Sequence, residues 1–165
     1  MSEYLLDANT FIEAKNRYYS MNVCPGFWQW ITNTNQTKQV ESISFVANEL
    51  KKGNDDLVQW AKDNPQIFAS CDDEATQNAY IQVVNLVMGL EGFKPSAKDE
   101  FLAGADPWLI AKAMALNATL VTHEKYNPDI KRKILIPNLC EYFKVPYINT
   151  FKLLEKLEAR FVLAA

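Results

Sequence analysis

Tyr4-Leu5-Leu6-Asp7-Ala8-Asn9-Thr10-Phe11 is a short apolar run that stops on an acid and continues in small polar residues. Such a run predicts a buried parallel strand that delivers a carboxylate to its own C-terminal end, the end at which open α/β sheets bind ligands. Late in the chain the pattern returns. A helix ends at Asn117, Thr119-Leu120-Val121-Thr122 follows as a buried strand, and His123-Glu124 again closes it on an acid. Strands alternate with helical segments throughout, which predicts a three-layer α/β/α sandwich with a central, mostly parallel sheet. At 165 residues the chain suits a single domain spanning 1–165.

Between these strands, Asn9 or Thr10 is expected to cap a helix through Arg17. Tyr18-Tyr19 and Cys24 to Ile31 form an aromatic-rich segment whose first use is core filling; stacking of unpaired bases on Tyr18, Tyr19 or Trp30 is the other use open to it. Val40-Glu41-Ser42-Ile43 reads as a short edge strand or the approach to a helix, and Ser44 as the cap of a helix carrying Glu49. Asp55-Asp56 opens another helix. Asp72 to Leu90 is the longest periodic segment, with Ala75, Ala79, Val83 and Val87 on one row, so it reads as a core helix. Ser96-Ala97-Lys98-Asp99 has capping-box form. Ala105-Asp106-Pro107-Trp108 predicts a helix start with Asp106 as N-cap and proline at the first helical position. Tyr147-Ile148 is the last strand, followed by a helix through Arg160 capped by Asn149 or Thr150.

The formal net charge of -3 has the wrong sign for gripping nucleic acid by bulk electrostatics, so any such role needs a local patch or a metal. Cys24, Cys71 and Cys140 form no Cys-x-x-Cys pair, which excludes the usual zinc and redox signatures and leaves them as buried or neutral thiols. No signal-peptide pattern and no membrane-length apolar run is present, so a cytoplasmic location is expected.

Asp7 and Glu124 at strand ends, Asp106 at a helix start and Glu49 on a neighbouring helix are expected to meet at one crevice of the sheet. Carboxylates gathered there repel one another unless a cation joins them, and a few carboxylates with waters and phosphates are what hold Mg²⁺. Each acid also has a structural use. Asp106 serves as a cap worth about 1 kcal/mol, Asp7 as a cap of the following helix, and Glu49 and Glu124 as solvated charges.

Taken together, Leu5-Leu6-Asp7-Ala8-Asn9, the acid Glu49, Ala105-Asp106-Pro107-Trp108-Leu109-Ile110-Ala111 and Leu120-Val121-Thr122-His123-Glu124 resemble the PIN domain, the nuclease fold of VapC-type toxins. Asp7 through Tyr19, with Lys131-Arg132-Lys133-Ile134-Leu135-Ile136-Pro137-Asn138-Leu139-Cys140, resembles more narrowly a PIN-like family known chiefly as a domain of unknown function. The likeness spans nearly the whole chain. It implies that Asp7, Glu49, Asp106 and Glu124 are catalytic acids, that Asp7, Asp106 and Glu124 hold Mg²⁺ or Mn²⁺, and that Asn9 or Thr10 supports Asp7. Glu41 is the other candidate for the place given to Glu49. Where the family usually reads Thr-x-Asp, this chain has Thr122-His123-Glu124, one methylene longer.

The resemblance further implies metal-dependent hydrolysis of RNA with 5′-phosphate products by the toxin of a toxin–antitoxin pair. It also implies a cognate antitoxin as partner, and it leaves a homodimer open. Lys125, Lys131, Arg132 and Lys133 are candidates to meet RNA phosphates, with Lys15 and Arg17 as weaker ones. An inactive PIN-like interaction module is the alternative. A haloacid-dehalogenase-like phosphatase ranks below both, because Asn9 stands where that chemistry needs a second acid.

Overall fold

In the computed structural model, which describes residues 3–164, the opening stretch forms β1 (Tyr4–Leu6) at the centre of a sheet. Leu5 and Leu6 are fully buried, because parallel neighbours lie on both sides: β2 (Val40–Ile43) on one and β4 (Thr119–Val121) on the other. β3 (Phe68–Ala69) and β5 (Tyr147–Ile148) complete the sheet in the order β3-β2-β1-β4-β5, and every pairing is parallel. Chain order runs one way from β1 to β3 and the other way from β1 to β5. The crevice beyond the carboxyl ends of β1 and β4 is therefore the topological switch point, where such sheets bind ligands.

β2 is thus an inner strand, which corrects the edge-strand expectation. Its two polar residues are accommodated locally: Ser42 Oγ donates to the Leu6 carbonyl at 2.6 Å, and Glu41 lies 3.8 Å from Lys38. Helices cover both faces: α1 (Ala8–Glu13, extended by a π turn over Ala14–Tyr18), α2 (Pro25–Gln36), α3 (Ser44–Leu50), α4 (Asp56–Asp63), α5 (Glu74–Gly89), α6 (Pro95–Ala103), α7 (Asp106–Leu116), α8 (Ile136–Phe143) and α9 (Thr150–Lys156). None of the described helices is long and apolar enough to cross a membrane.

Two aromatic clusters explain much of the packing. Phe11 from α1 meets Trp60 and Phe68 at ring separations of 5.7 and 5.8 Å, and Trp28 meets Trp60 at 4.9 Å. Trp108 is stacked between Tyr80 at 3.7 Å and Phe45 at 4.8 Å, which ties α7 to α5 and α3. In α5 the buried row is Thr76, Ala79, Val83 and Val87, so Thr76 replaces the expected Ala75. The last helix stops at Lys156, short of Arg160, and the chain beyond it folds back to set Phe161 5.8 Å from Tyr19. Cys71 and Cys140 are buried free thiols, pushed by desolvation up to about 11 and about 12.

Candidate active site

Asp7 follows directly on β1, and its amide donates to the Val121 carbonyl at 3.1 Å, so it sits at the seam between the two central strands. It is 2 % exposed. Its Oδ1 accepts from the Thr10 amide at 2.8 Å and from Thr10 Oγ1 at 3.0 Å; Asp7, rather than Asn9 or Thr10, is therefore the N-cap of α1. Thr10 also donates to the Val121 carbonyl at 3.1 Å and thereby ties the cap to β4. Burial raises the Asp7 carboxyl above its ordinary value, against hydrogen bonds from Thr122 and Thr10 that favour the charged form.

Glu49 lies late on α3 and reaches across the crevice. Its Oε1 accepts from the Ala105 amide at 2.9 Å, at the entry to α7. The tight turn at Gly104 permits this contact, because a Cβ there would stand 3.3 Å from the same oxygen. Asp106 consequently does not cap α7. The N-cap residue is Ala105, and Asp106 occupies the first turn with no hydrogen bond from its side chain among the described residues. Ser44 and Ser96 likewise fall inside their helices, whose N-cap residues are Ile43 and Lys94.

Glu124 stands beyond β4, and its Oε2 lies 3.4 Å from the Ile136 amide at the start of α8. Asp7, Glu49 and Glu124 therefore each commit an oxygen to an amide at a helix N-terminus, where the helix dipole favours negative charge. The structural and chemical uses of these acids coexist: one oxygen fixes the carboxylate while the group still contributes its charge.

A crevice of about 320 Å³ is lined by Asp7, Asn9, Glu49, Asp106 and Lys133, while Glu124, expected in the same crevice, lines the neighbouring cleft. Asp106 is partly buried, and desolvation followed by the charges of Glu124, Asp7 and Glu49 raises its carboxyl to about 7, with Lys133 opposing. Desolvation also raises Glu124, again opposed by Lys133. Glu41, the other candidate for the place of Glu49, instead faces Lys38 away from this crevice.

The all-oxygen, mutually repelling donor set fits a hard divalent cation. Among the described residues no three His, Cys, Asp or Glu side chains lie close enough to hold an ion together.

The basic candidates divide. Lys133 lines the crevice, while Lys125 lines a neighbouring cleft. Lys131 folds back over the Phe93 ring at 5.0 Å, and Arg132 is exposed. Lys15 and Arg17 are engaged by Asp55 at 2.7 Å and Glu13 at 3.1 Å. Tyr19 and Trp30 pack into the core through Phe27, whereas Tyr18 stays 47 % exposed. Thr122, whose hydroxyl favours the charged form of Asp7, stood in the sequence reading only as part of a strand and a motif, and Phe151, which meets Tyr18 at 4.9 Å, had no place there. The Thr-x-Asp-like spacing at Thr122-His123-Glu124 is the one signal that pointed toward Thr122.

The pattern of a domain of unknown function (DUF4411) matches residues 4–161. No protein of curated function matches the chain in sequence. Among solved structures the fold is similar to that of VapBC2 from Rickettsia felis bound to a DNA fragment from their promoter, with a TM-score of 0.53 at 15 % identity over 90 % of this chain and 98 % of that one. It is equally similar to VapBC-1 from nontypeable Haemophilus influenzae, with a TM-score of 0.52 at 16 % identity and the same coverage. These likenesses bear out the PIN-like α/β/α fold expected from the sequence.

Proposed function

The chain belongs to the DUF4411 family, and from that premise we propose that it is a metal-dependent endoribonuclease, the cytoplasmic toxin of a toxin–antitoxin pair. The observation that carries the reading is the convergence of Asp7, Glu49 and Asp106, from three separate elements, on one crevice at the switch point of the sheet, where burial and the neighbouring acids raise the Asp106 carboxyl. So costly an arrangement has a purpose if a cation belongs there. The fold shared with VapBC proteins supports the same class, and those proteins' pairing supports a protein partner for this one.

In this reading Asp7 and Asp106 hold a Mg²⁺ or Mn²⁺ ion directly, Glu124 and Glu49 act at its margin, and Thr10 keeps Asp7 in place. When bound, the ion supplies Lewis acidity for water activation and neutralises charge at the departing 3′-oxygen. Lys133 meets a phosphate entering the crevice, and Lys125 meets one in the neighbouring cleft.

Purified protein is expected to cleave single-stranded RNA in Mg²⁺ or Mn²⁺, to stop when EDTA is added, and to leave 5′-phosphate ends. Unchanged cleavage by Asp7→Asn would overturn the site assignment. Absence of cleavage together with a co-purifying partner would favour the interaction module instead. Phosphomonoester hydrolysis with phosphate on Asp7 would favour the phosphatase.

A further inference from the structure

Beside the acid crevice, beyond the carboxyl ends of β4 and β5, lies an open cleft of about 880 Å³. Its walls come from segments distant in sequence: Tyr18 from the π turn, His123 from the strand exit and Phe151 from α9. These rings form a cluster. Tyr18 meets Phe151 edge-on at 4.9 Å and His123 at 6.2 Å, and His123 meets Phe151 at 6.0 Å. The His123 ring is further held by a 2.9 Å contact between its Nε2 and Thr150 Oγ1.

The cluster is nevertheless open, with Tyr18 47 % and Phe151 43 % exposed. Rings that could be covered by each other instead leave large aromatic surface toward a cleft.

Charge narrows the occupant. Lys125 lines the cleft and makes no ion pair among the described residues, and Lys152 adds a second cation loosely paired with Glu155 at 3.4 Å. Two acids line the cleft as well, and both are engaged: Glu13 by Arg17 at 3.1 Å, and Glu124 by the Ile136 amide at 3.4 Å. Asn9 lines both this cleft and the acid crevice, so the two are continuous. Aromatic faces beside the cations Lys125 and Lys152 are what an unpaired nucleotide strand requires; a duplex hides its base faces.

We infer that this cleft seats an unpaired base of single-stranded RNA, stacked on the Tyr18–Phe151 cluster, with an adjoining phosphate met by Lys125. The inference rests on the nuclease reading only for the polarity of the strand toward the acids. The stacking site itself is tested without cleavage.

The test is fluorescence anisotropy of a short labelled oligouridylate, and of the same strand annealed to its complement, in EDTA. Wild-type protein is expected to bind the single strand more tightly than the duplex. Tyr18→Ala and Phe151→Ala should each weaken single-strand binding by roughly 5- to 100-fold, the loss associated with one stacked base. Tyr18→Phe keeps the ring and should bind within about twofold of wild type, which separates stacking from loss of the fold. Lys125→Ala should lower the salt dependence of binding by about one phosphate contact. Tighter binding of the duplex, equal binding by both alanine variants, or no RNA binding with loss of a protein partner on Tyr18→Ala would each overturn the inference. Because these measurements need no metal, absence of RNA cleavage by the wild-type protein in Mg²⁺ or Mn²⁺ would remove the nuclease reading while leaving the stacking result to stand on its own.

Discussion

Asp106→Asn is expected to abolish RNA cleavage and, in metal-free buffer at pH 8, to raise the melting temperature. The first effect follows from removing a carboxylate assigned to hold the cation. Loss of an outer partner of a metal ligand costs about 10- to 100-fold, so loss of the ligand should cost at least about 100-fold.

The second effect follows from the protonation of the empty crevice. An Asp held near 7 in the fold and at 3.8 otherwise binds its proton more tightly in the folded state. Its contribution is harmless below about pH 4 and increasingly unfavourable as pH rises toward 7. At ~1.4 kcal/mol per pH unit of displacement, the ionised group costs the metal-free fold up to about 4 kcal/mol. The asparagine removes that cost and forfeits a helix-dipole contribution of only about 0.3–1 kcal/mol.

Wild-type protein in EDTA should therefore lose stability between pH 5 and pH 8, reinforced by Asp7 and Glu124, which shift in the same direction. Mg²⁺ should restore it at pH 8, and the asparagine variant should show little of either effect. Thermal melts of both proteins at the two pH values, with and without Mg²⁺, decide the matter. A lower melting temperature for the variant in EDTA at pH 8 would remove the repulsive-cluster account.

The central strands were legible because burial on both faces leaves a plain signature, an unbroken apolar run ending on an acid. β2 was less so, since Glu41 and Ser42 interrupt its apolar character, and only the Ser42 bond to Leu6 makes the interior tolerable. β3 went unread because two residues after a proline-led 3₁₀ turn carry no periodicity. Helix starts misled in a consistent way. Ser44, Ser96 and Asp106 have the side chains that caps favour, yet each falls one or two residues inside its helix. At α7 the cap is supplied from outside by Glu49, a long-range contact that no local pattern encodes.

The candidate site shows the same division between local and distant information. The four acids could be picked out by where they fall relative to predicted strands and by a family resemblance, but their division of labour could not. Asp7 as a helix cap and Asp7 as a metal ligand look like rivals in sequence. In the fold, the cap bonds hold the carboxylate at the seam of β1 and β4, the position the proposed chemistry calls for. The aromatic cleft had Tyr18 and Lys125 as hints but not Phe151, which reaches it through the docking of α9, because side-chain clustering across the molecule leaves no mark in the sequence.

Lys112→Met is expected to do the opposite of Asp106→Asn from the same helix, lowering stability while sparing cleavage. Lys112 lies among Leu109, Ile110, Ala111 and Ala113 of α7, all nearly inaccessible, and is itself only 8 % exposed. Its ammonium donates to the Ser70 carbonyl and to Asp73 Oδ1, both at 2.8 Å, and so pins the segment between β3 and α5 onto α7. Methionine keeps the apolar stem but takes the ammonium from the Ser70 carbonyl and from Asp73, whose Oδ1 still accepts from Thr76 Oγ1 at 2.9 Å, a loss of about 1–3 kcal/mol. Asp73 is 46 % exposed, so solvent screening trims its share, and the larger part belongs to the Ser70 carbonyl.

The pH dependence separates the two parts. The Lys112 hydrogen bond, with help from Thr76, holds Asp73 at about 2, below its ordinary 3.8. A depressed acid stabilises the fold above about pH 4 and loses that contribution as pH falls toward 2. Urea denaturation should accordingly show a gap between wild type and Lys112→Met at pH 7 that narrows, without closing, at pH 3. Equal stability at pH 7 would remove the anchoring role. Cleavage by Lys112→Met should stay within about threefold of wild type under conditions where it is folded, because Trp108 and the Glu49 contact still hold the first turn of α7. A large fall in cleavage at full stability would instead mean that the buried ammonium sets the position of Asp106.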